Sequence, residues 1–393
     1  MSSHQPGRHF LQIPGPTNIP QVVLAALAKP TIDHRSTEFG QLGLEVLSNL
    51  QRVFKTINPV FMFPSSGTGA WEAGLTNVLN PGDTIIVYET GYFASQWRRL
   101  ATNLGFEVQT IDSDWRTPVD PHRLSERLNS DTKQKIKAVC IVHNETSTGV
   151  TSNIAEIRQV IDDAKHKALL LVDSVSSLAS IDYQHDEWRV DVSIGGSQKG
   201  LMLPPGLSFN AVSDRALKCH ADSQYPKSYW NWSDMLNHNE KGFFPYTPAT
   251  NLIFGLQASL NIILNEIGLK NVFYRHARHA LATREAVHHW GLDIVCQDSA
   301  AFSSTVTAVM TPNKMSANQL RQKILSKFNM SLGTGLGKFN DRVFRIGHLG
   351  DLNDLSLAGT LAGIEMGLEI CSFPFNKGGV SKALDHLIRA DQN

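Results

Sequence analysis

The stretch Gly195-Gly196-Ser197-Gln198-Lys199-Gly200 decides how this chain is read, together with Leu169-Leu170-Leu171-Val172-Asp173-Ser174 upstream of it. The first sets one lysine in a glycine-rich turn directly after an apolar run at 190–194. The second ends a strand-like apolar run on a carboxylate, 26 positions before that lysine. Burial in a tight turn disfavours the ammonium form and frees an amine for imine chemistry. A carboxylate nearby is the group that keeps a cofactor ring nitrogen protonated, so that the ring accepts electrons. Taken singly, each residue reads as well as ordinary solvated surface. The pair draws its meaning from what the rest of the chain supplies.

With 393 residues, 41% hydrophobic and 18% charged, the chain can bury a large core and divide into two domains. Lys+Arg and Asp+Glu each number 36, so no basic excess points to nucleic acid or a membrane surface. Cys140, Cys219, Cys296 and Cys371 lie far apart without a C-x-x-C pair, which argues against a zinc site and a disulfide framework and for a reducing compartment. The N-terminal stretch from Met1 shows no apolar signal core, and no run approaches a membrane span. The end of the chain carries no peroxisomal tripeptide. These features predict a soluble, cytoplasmic protein.

Pro6, Pro14, Pro16 and Pro20 forbid a helix in the N-terminal arm. Asp33-His34-Arg35-Ser36 follows, with Ser36 placed to cap a helix over 39–54; the ionic cluster is either a solvated loop or an active-site contact. A short strand at 60–63 leads into Pro64-Ser65-Ser66-Gly67-Thr68-Gly69-Ala70 and then a helix over 71–79. Strand, Ser/Thr/Gly loop and helix start form an anion site, since free N–H groups and the helix dipole both favour a phosphate. From 81 to 212 the pattern alternates: strands at 84–88, 107–111, 136–142, 168–173, 190–194 and 207–212, helices at 96–104, 121–128 and 154–165. Such alternation predicts a mostly parallel sheet with helices on both faces and a ligand site at the carboxyl ends of the strands. Thr68, the His143-Asn144-Glu145-Thr146 turn, Asp173 and Lys199 all follow strand ends.

Between 214 and 248 the alternation gives way to an aromatic segment (Tyr225, Tyr229, Trp230, Trp232, Phe243, Phe244, Tyr246), read as an exposed interface or active-site cover. A long helical stretch over 252–290, with a break at Gly268, leads to strand 304–310, helix 317–328, strand 343–346 and helix 354–368. Leu332-Gly333-Thr334-Gly335-Leu336-Gly337 lacks the context of a dinucleotide fingerprint and is read as a flexible active-site loop. Arg345 alternates with Phe344 and Ile346; a strand arginine inside a protein needs an anion, either an internal carboxylate or a substrate α-carboxylate. The histidines at 276, 279, 288 and 289 are read as packing or surface groups, not metal ligands.

These motifs, in this order, resemble the class V aminotransferases: Ser197-Gln198-Lys199, Val172-Asp173-Ser174-Val175, His143 to Gly149, Ser66-Gly67-Thr68-Gly69, Pro14 to Asn18 and Phe344 to Gly350. Within that family the match is to the serine–glyoxylate and alanine–glyoxylate group, and the stretches 228–232 and 244–251 resemble its serine–glyoxylate branch. The resemblance covers about 11–367 and implies a fold-type I α/β transferase. Its large domain would hold a mostly parallel sheet of the seven-stranded type beside a smaller C-terminal α/β domain. The divisions would be an arm at 1–20, a large domain at 21–265 and a small one at 266–393. It implies pyridoxal 5'-phosphate, held through an imine by Lys199, which also moves the substrate proton, with Asp173 at the ring nitrogen. Val175 and Phe93 would flank the ring, Phe93 where some relatives have tryptophan, with Tyr92 the neighbouring choice. Thr146 would meet the ring oxygen. Thr68, Gly69 and Gln198 would hold the phosphate, as would Ala70 through its N–H only. Thr247 would reach the phosphate of a second subunit, giving a homodimer with shared sites, and Phe244 would lack the hydroxyl of a matching tyrosine. Arg345 would clamp the substrate carboxylate, with Gly15, His34 and Arg35 beside it. Serine is the expected donor to glyoxylate, with alanine and aspartate as alternatives. A class V lyase, decarboxylase or silent assembly protein would share part of this pattern; a desulfurase needs a cysteine before the arginine, and 320–344 has none.

Overall fold

The computed structural model describes residues 7–390. Pro6, the stretch searched for a signal core at 1–6 and the terminal residues 391–393 lie outside the described residues. In chain order the strands are β1 (Phe10–Gln12), β2 (Val60–Phe63), β3 (Thr84–Glu89), β4 (Glu107–Asp112), β5 (Ile136–Val142), β6 (Asn144–Glu145), β7 (Val150–Thr151), β8 (Leu169–Asp173), β9 (Val192–Gly196), β10 (Ser208–Val212), β11 (Val306–Met310), β12 (Met330–Thr334) and β13 (Val343–Gly347).

The larger sheet has seven strands in the order β2-β10-β9-β8-β5-β3-β4. Strands β9, β8, β5, β3 and β4 pair in parallel, while β10 runs antiparallel to both β9 and β2. The central strands are apolar nearly throughout because helices cover both faces; every residue of β8 is buried. The sequence expectation of a mostly parallel sheet is met, and β10 is its one reversal. The predicted helices form, several with earlier starts. Ser36 caps Thr37–Phe54 by accepting from the Phe39 N–H at 3.2 Å. The helix expected from Trp71 begins at Gly67, so the glycine-serine loop supplies its first turn.

The second sheet, β1-β12-β13-β11, lies in the C-terminal part but takes its edge strand β1 from the N-terminal arm, parallel to β12. This corrects the flexible-loop reading of 332–337: Leu332, Gly333 and Thr334 are sheet residues, with Gly333 opposite Arg345. The glycine pattern hid a strand whose partners are remote in sequence. The aromatic segment is also only partly exposed. It holds helices Asp214–Asp222 and Trp232–Asn239, and Trp232 is fully buried, stacked on Phe61 at 5.4 Å. Two large apolar clusters result, one running from Val23 to Val272 and one drawn mainly from Ala282 to Leu387. Among the described residues no single helix is long and apolar enough to cross a membrane.

Candidate active site

The strand ends converge on one cavity of about 270 Å³. Lys199 stands three residues past β9, only 7% exposed. Its Nζ donates to the Pro14 carbonyl and lies 3.5 Å from Thr146 Oγ1. Burial, and then the Arg345 charge, pull its pKa down to about 7, against the opposing pull of Asp173 and Glu145. The amine is therefore available at neutral pH. Gly15 presses on it from the arm: at φ +108° it tolerates no side chain, and a Cβ there would come within 2.4 Å of Lys199 Cδ.

Asp173 closes β8 and is buried to 5% exposure. Its Oδ1 accepts from the Val175 N–H at 2.8 Å and its Oδ2 from Trp71 Nε1 at 2.9 Å. Burial pushes its pKa up to about 7, more than these hydrogen bonds and Lys199 draw it back. A buried carboxylate in this state gains from a cationic partner placed against it.

The opposite end of the cavity is the start of helix Gly67–Val78, where Ser66, Gly67 and Thr68 form the wall. The N–H groups of Gly69 and Ala70 turn back onto the Ser66 carbonyl, at 2.9 and 3.3 Å, and neither residue lines the cavity. Gly67 and Thr68 keep their N–H groups unengaged among the described residues. Gln198 lines the same cavity, and its buried Oε1 has no partner among the described residues. Phe93 and Val175 both line it as well, whereas Tyr92 packs towards Gly337.

Arg345, in the middle of β13, is 7% exposed. Its Nε donates to the Thr334 carbonyl at 2.7 Å and its Nη1 to the Thr146 carbonyl at 2.9 Å. No carboxylate lies within ion-pair reach of it among the described residues, so an internal salt bridge is not what holds it. Burial draws its pKa down to about 10. Arg345, like Gly69 and Ala70, does not itself line the cavity, and it meets the site through the carbonyl of the lining residue Thr146; His34, Arg35 and Thr247 are not brought here within one chain. His34 and Arg35 line a separate hollow with His238 and Phe243 to Tyr246, and Thr247 is exposed. His143, though next to a strand end, is buried on Ser177 and the Tyr183 and Trp188 rings, away from the cavity.

Trp71 carried no sequence signal as a site group, and Asn144 was marked only as part of the turn at 143–146. Trp71 was read as a helix start, yet its indole orients Asp173 and stacks on Trp97 at 5.7 Å. Asn144 lies in the wall and donates to Ser176 and Thr305. Their proximity comes from neighbouring strands and helices, which spacing along the chain does not report.

An amine free at neutral pH, a buried carboxylate in want of a cation, two flanking apolar walls and open N–H groups at the far end suit pyridoxal 5'-phosphate. The fold is that of the fold-type I enzymes that use it: the pyridoxamine–pyruvate aminotransferase of Mesorhizobium loti superposes with a TM-score of 0.92, covering 100% of both chains at 25% identity. The aminotransferase class-V family model matches residues 9–335, and the chain belongs to that family; it is a pyridoxal-phosphate-dependent aminotransferase. The chain is 44% identical over 385 residues to the serine–glyoxylate aminotransferase of Arabidopsis thaliana, covering 97% of this chain and 96% of that protein. It is 42% identical over 376 residues to the L-aspartate–glyoxylate aminotransferase of Paracoccus denitrificans, covering 95% of each.

Proposed function

We propose that this enzyme moves the amino group of L-serine to glyoxylate, giving hydroxypyruvate and glycine, as a cytoplasmic homodimer with shared active sites. The observation that carries the site assignment is Arg345, a buried guanidinium that among the described residues donates to the carbonyls of Thr334 and Thr146, the latter residue beside Lys199. A planar fork in that state is a seat for a carboxylate, and both substrates carry one. The serine assignment is supported by the identity to relatives named serine–glyoxylate aminotransferases. In this reading residues 21–265 form the cofactor-holding domain and 266–393 the domain that brings the clamp.

The cofactor, when bound, supplies the electron sink that lets an amino acid lose its α-proton. Lys199 would hold it, and the Lys199 amine, its pKa drawn down to about 7, would be the base that moves that proton. Arg345 fixes the substrate carboxylate, which turns a collision into a positioned encounter. Asp173, held by Trp71 and Val175, would meet the ring nitrogen. Gly67, Thr68 and Gln198 would take the phosphate. Phe93 and Val175 would exclude water from the ring.

The runner-up donor is aspartate, favoured by the Paracoccus relative and by Arg35 and His34, which offer a second carboxylate site if a partner subunit presents them. Specificity constants for serine, alanine and aspartate with glyoxylate decide between these donors. Serine should lead, with ping-pong kinetics. If aspartate leads by tenfold, about 1.4 kcal/mol, the serine assignment fails and Arg35 becomes the residue to mutate.

A further inference from the structure

Glu145 is fully buried, and no cation lies within ion-pair distance of it among the described residues. A carboxylate so placed is costly unless it is heavily hydrogen-bonded. It is. Its Oε1 accepts from the Ser147 hydroxyl at 2.6 Å, the Ser147 N–H at 3.1 Å and the Phe93 N–H at 3.3 Å; its Oε2 accepts from the Ala94 N–H at 3.2 Å. Ser147 Oγ in turn accepts from the Tyr92 N–H at 3.0 Å. The open start of helix Tyr92–Asn103, which no side chain of its own caps, is thus gripped from β6.

That grip touches three parts of the site at once. Phe93, the apolar wall, hangs on the gripped turn. Thr146, the next residue along the chain, stands beside Lys199 and gives its carbonyl to Arg345. The charges facing Glu145 are Lys199 and Arg345, both cations, and Asp173, an anion; from the helix side come N–H groups, with the Tyr92 phenol as the titratable side chain of that turn. We propose that Glu145 is a positioning residue of the transamination, tying the ring-flanking wall at Phe93 to the carboxylate clamp at Arg345 and supplying the buried negative charge that balances Lys199 and Arg345. This rests on the cofactor and clamp roles given above.

Glu145→Gln keeps the shape and removes the charge, while turning one acceptor into a donor that opposes the helix N–H groups. Ser147→Ala loosens the same turn and leaves the charge in place. In holoenzyme, E145Q should lower kcat by about 30-fold or more, near 2 kcal/mol, and release cofactor faster on dilution. It should also shift the pH midpoint of the cofactor's visible absorption change downwards, because an anion that favoured the protonated form is gone. S147A should speed cofactor release without moving that midpoint. An E145Q protein that only melts earlier, with kcat, cofactor release and midpoint unchanged, overturns the proposal. If E145Q does not fold, unchanged cofactor release in S147A overturns it. A wild-type protein that forms no visible cofactor band would instead sink the function assigned above, which keeps the two failures apart.

Discussion

At the scale of single residues, Asp173 shows how the site trades stability for chemistry. Its folded pKa of about 7 lies above the ordinary 3.8, so between those values the folded chain holds a proton that the unfolded chain releases. In cofactor-free protein this contribution is fully present at low pH and is lost as pH rises through 7. Asp173→Asn removes the titration. The melting temperature of the cofactor-free variant should therefore gain on wild type between pH 4.5 and 8, and a constant difference across that range would refute the assignment. With cofactor, the same variant should turn over about 100-fold more slowly, some 2.7 kcal/mol, because a neutral amide does not hold the ring proton. Lys199→Ala should abolish turnover while leaving the fold and phosphate-end binding intact. Near-native activity in that variant would end the present reading of the site. Lys199 and Asp173 were legible because each follows a strand end in a distinctive turn. Trp71 was not, since an indole at a helix start carries no spacing of its own, and Glu145 was marked only as a member of the turn at 143–146, without a task.

Secondary-structure elements position these residues through a few close crossings. The turn Lys241-Gly242-Phe243, just ahead of Thr247, lies directly on helix Thr37–Phe54. A Cβ added at Gly43 would come within 2.0 Å of the Gly242 carbonyl oxygen, a backbone atom that cannot swing aside. Overpacking of this kind costs about 1–3 kcal/mol. Gly43→Ala should lower the melting temperature by several degrees, measured by calorimetry on the holoenzyme; an unchanged transition would mean that the turn moves freely off the helix. Periodicity had placed that helix and its Ser36 cap, because its apolar stripe and the cap are local features. It could not show that two glycines on it and one far along the chain meet. The same limit hid β12, whose partners β1 and β13 make it a strand despite its glycines.

At the scale of the whole molecule, a second copy of the chain bears on how the site is completed. Thr247 is exposed and the hollow containing His34 and Arg35 stands apart from the main cavity, although the class-V resemblance puts all three near substrate or cofactor. A second copy would reconcile these placements, since a symmetric dimer offers the same surface to each partner's site. Mixing Lys199→Ala protein with Thr247→Ala protein should then restore activity, because each heterodimer holds one site with both wild-type groups. If subunit exchange is demonstrated by mass and no activity returns, the shared-site arrangement is wrong.

By itself the sequence determined the class of fold and the chemistry. Alternating apolar runs and amphipathic helices impose a parallel sheet, and residues placed just past its strand ends gather at one edge. Tertiary structure alone decided the rest: which walls face the cavity, that Phe93 rather than Tyr92 forms one of them, that no carboxylate among the described residues pairs with Arg345, and that the Trp71 indole bonds Asp173. Those facts depend on burial and on contacts between segments distant along the chain. Local patterning records how each segment prefers to fold, but not what it is pressed against.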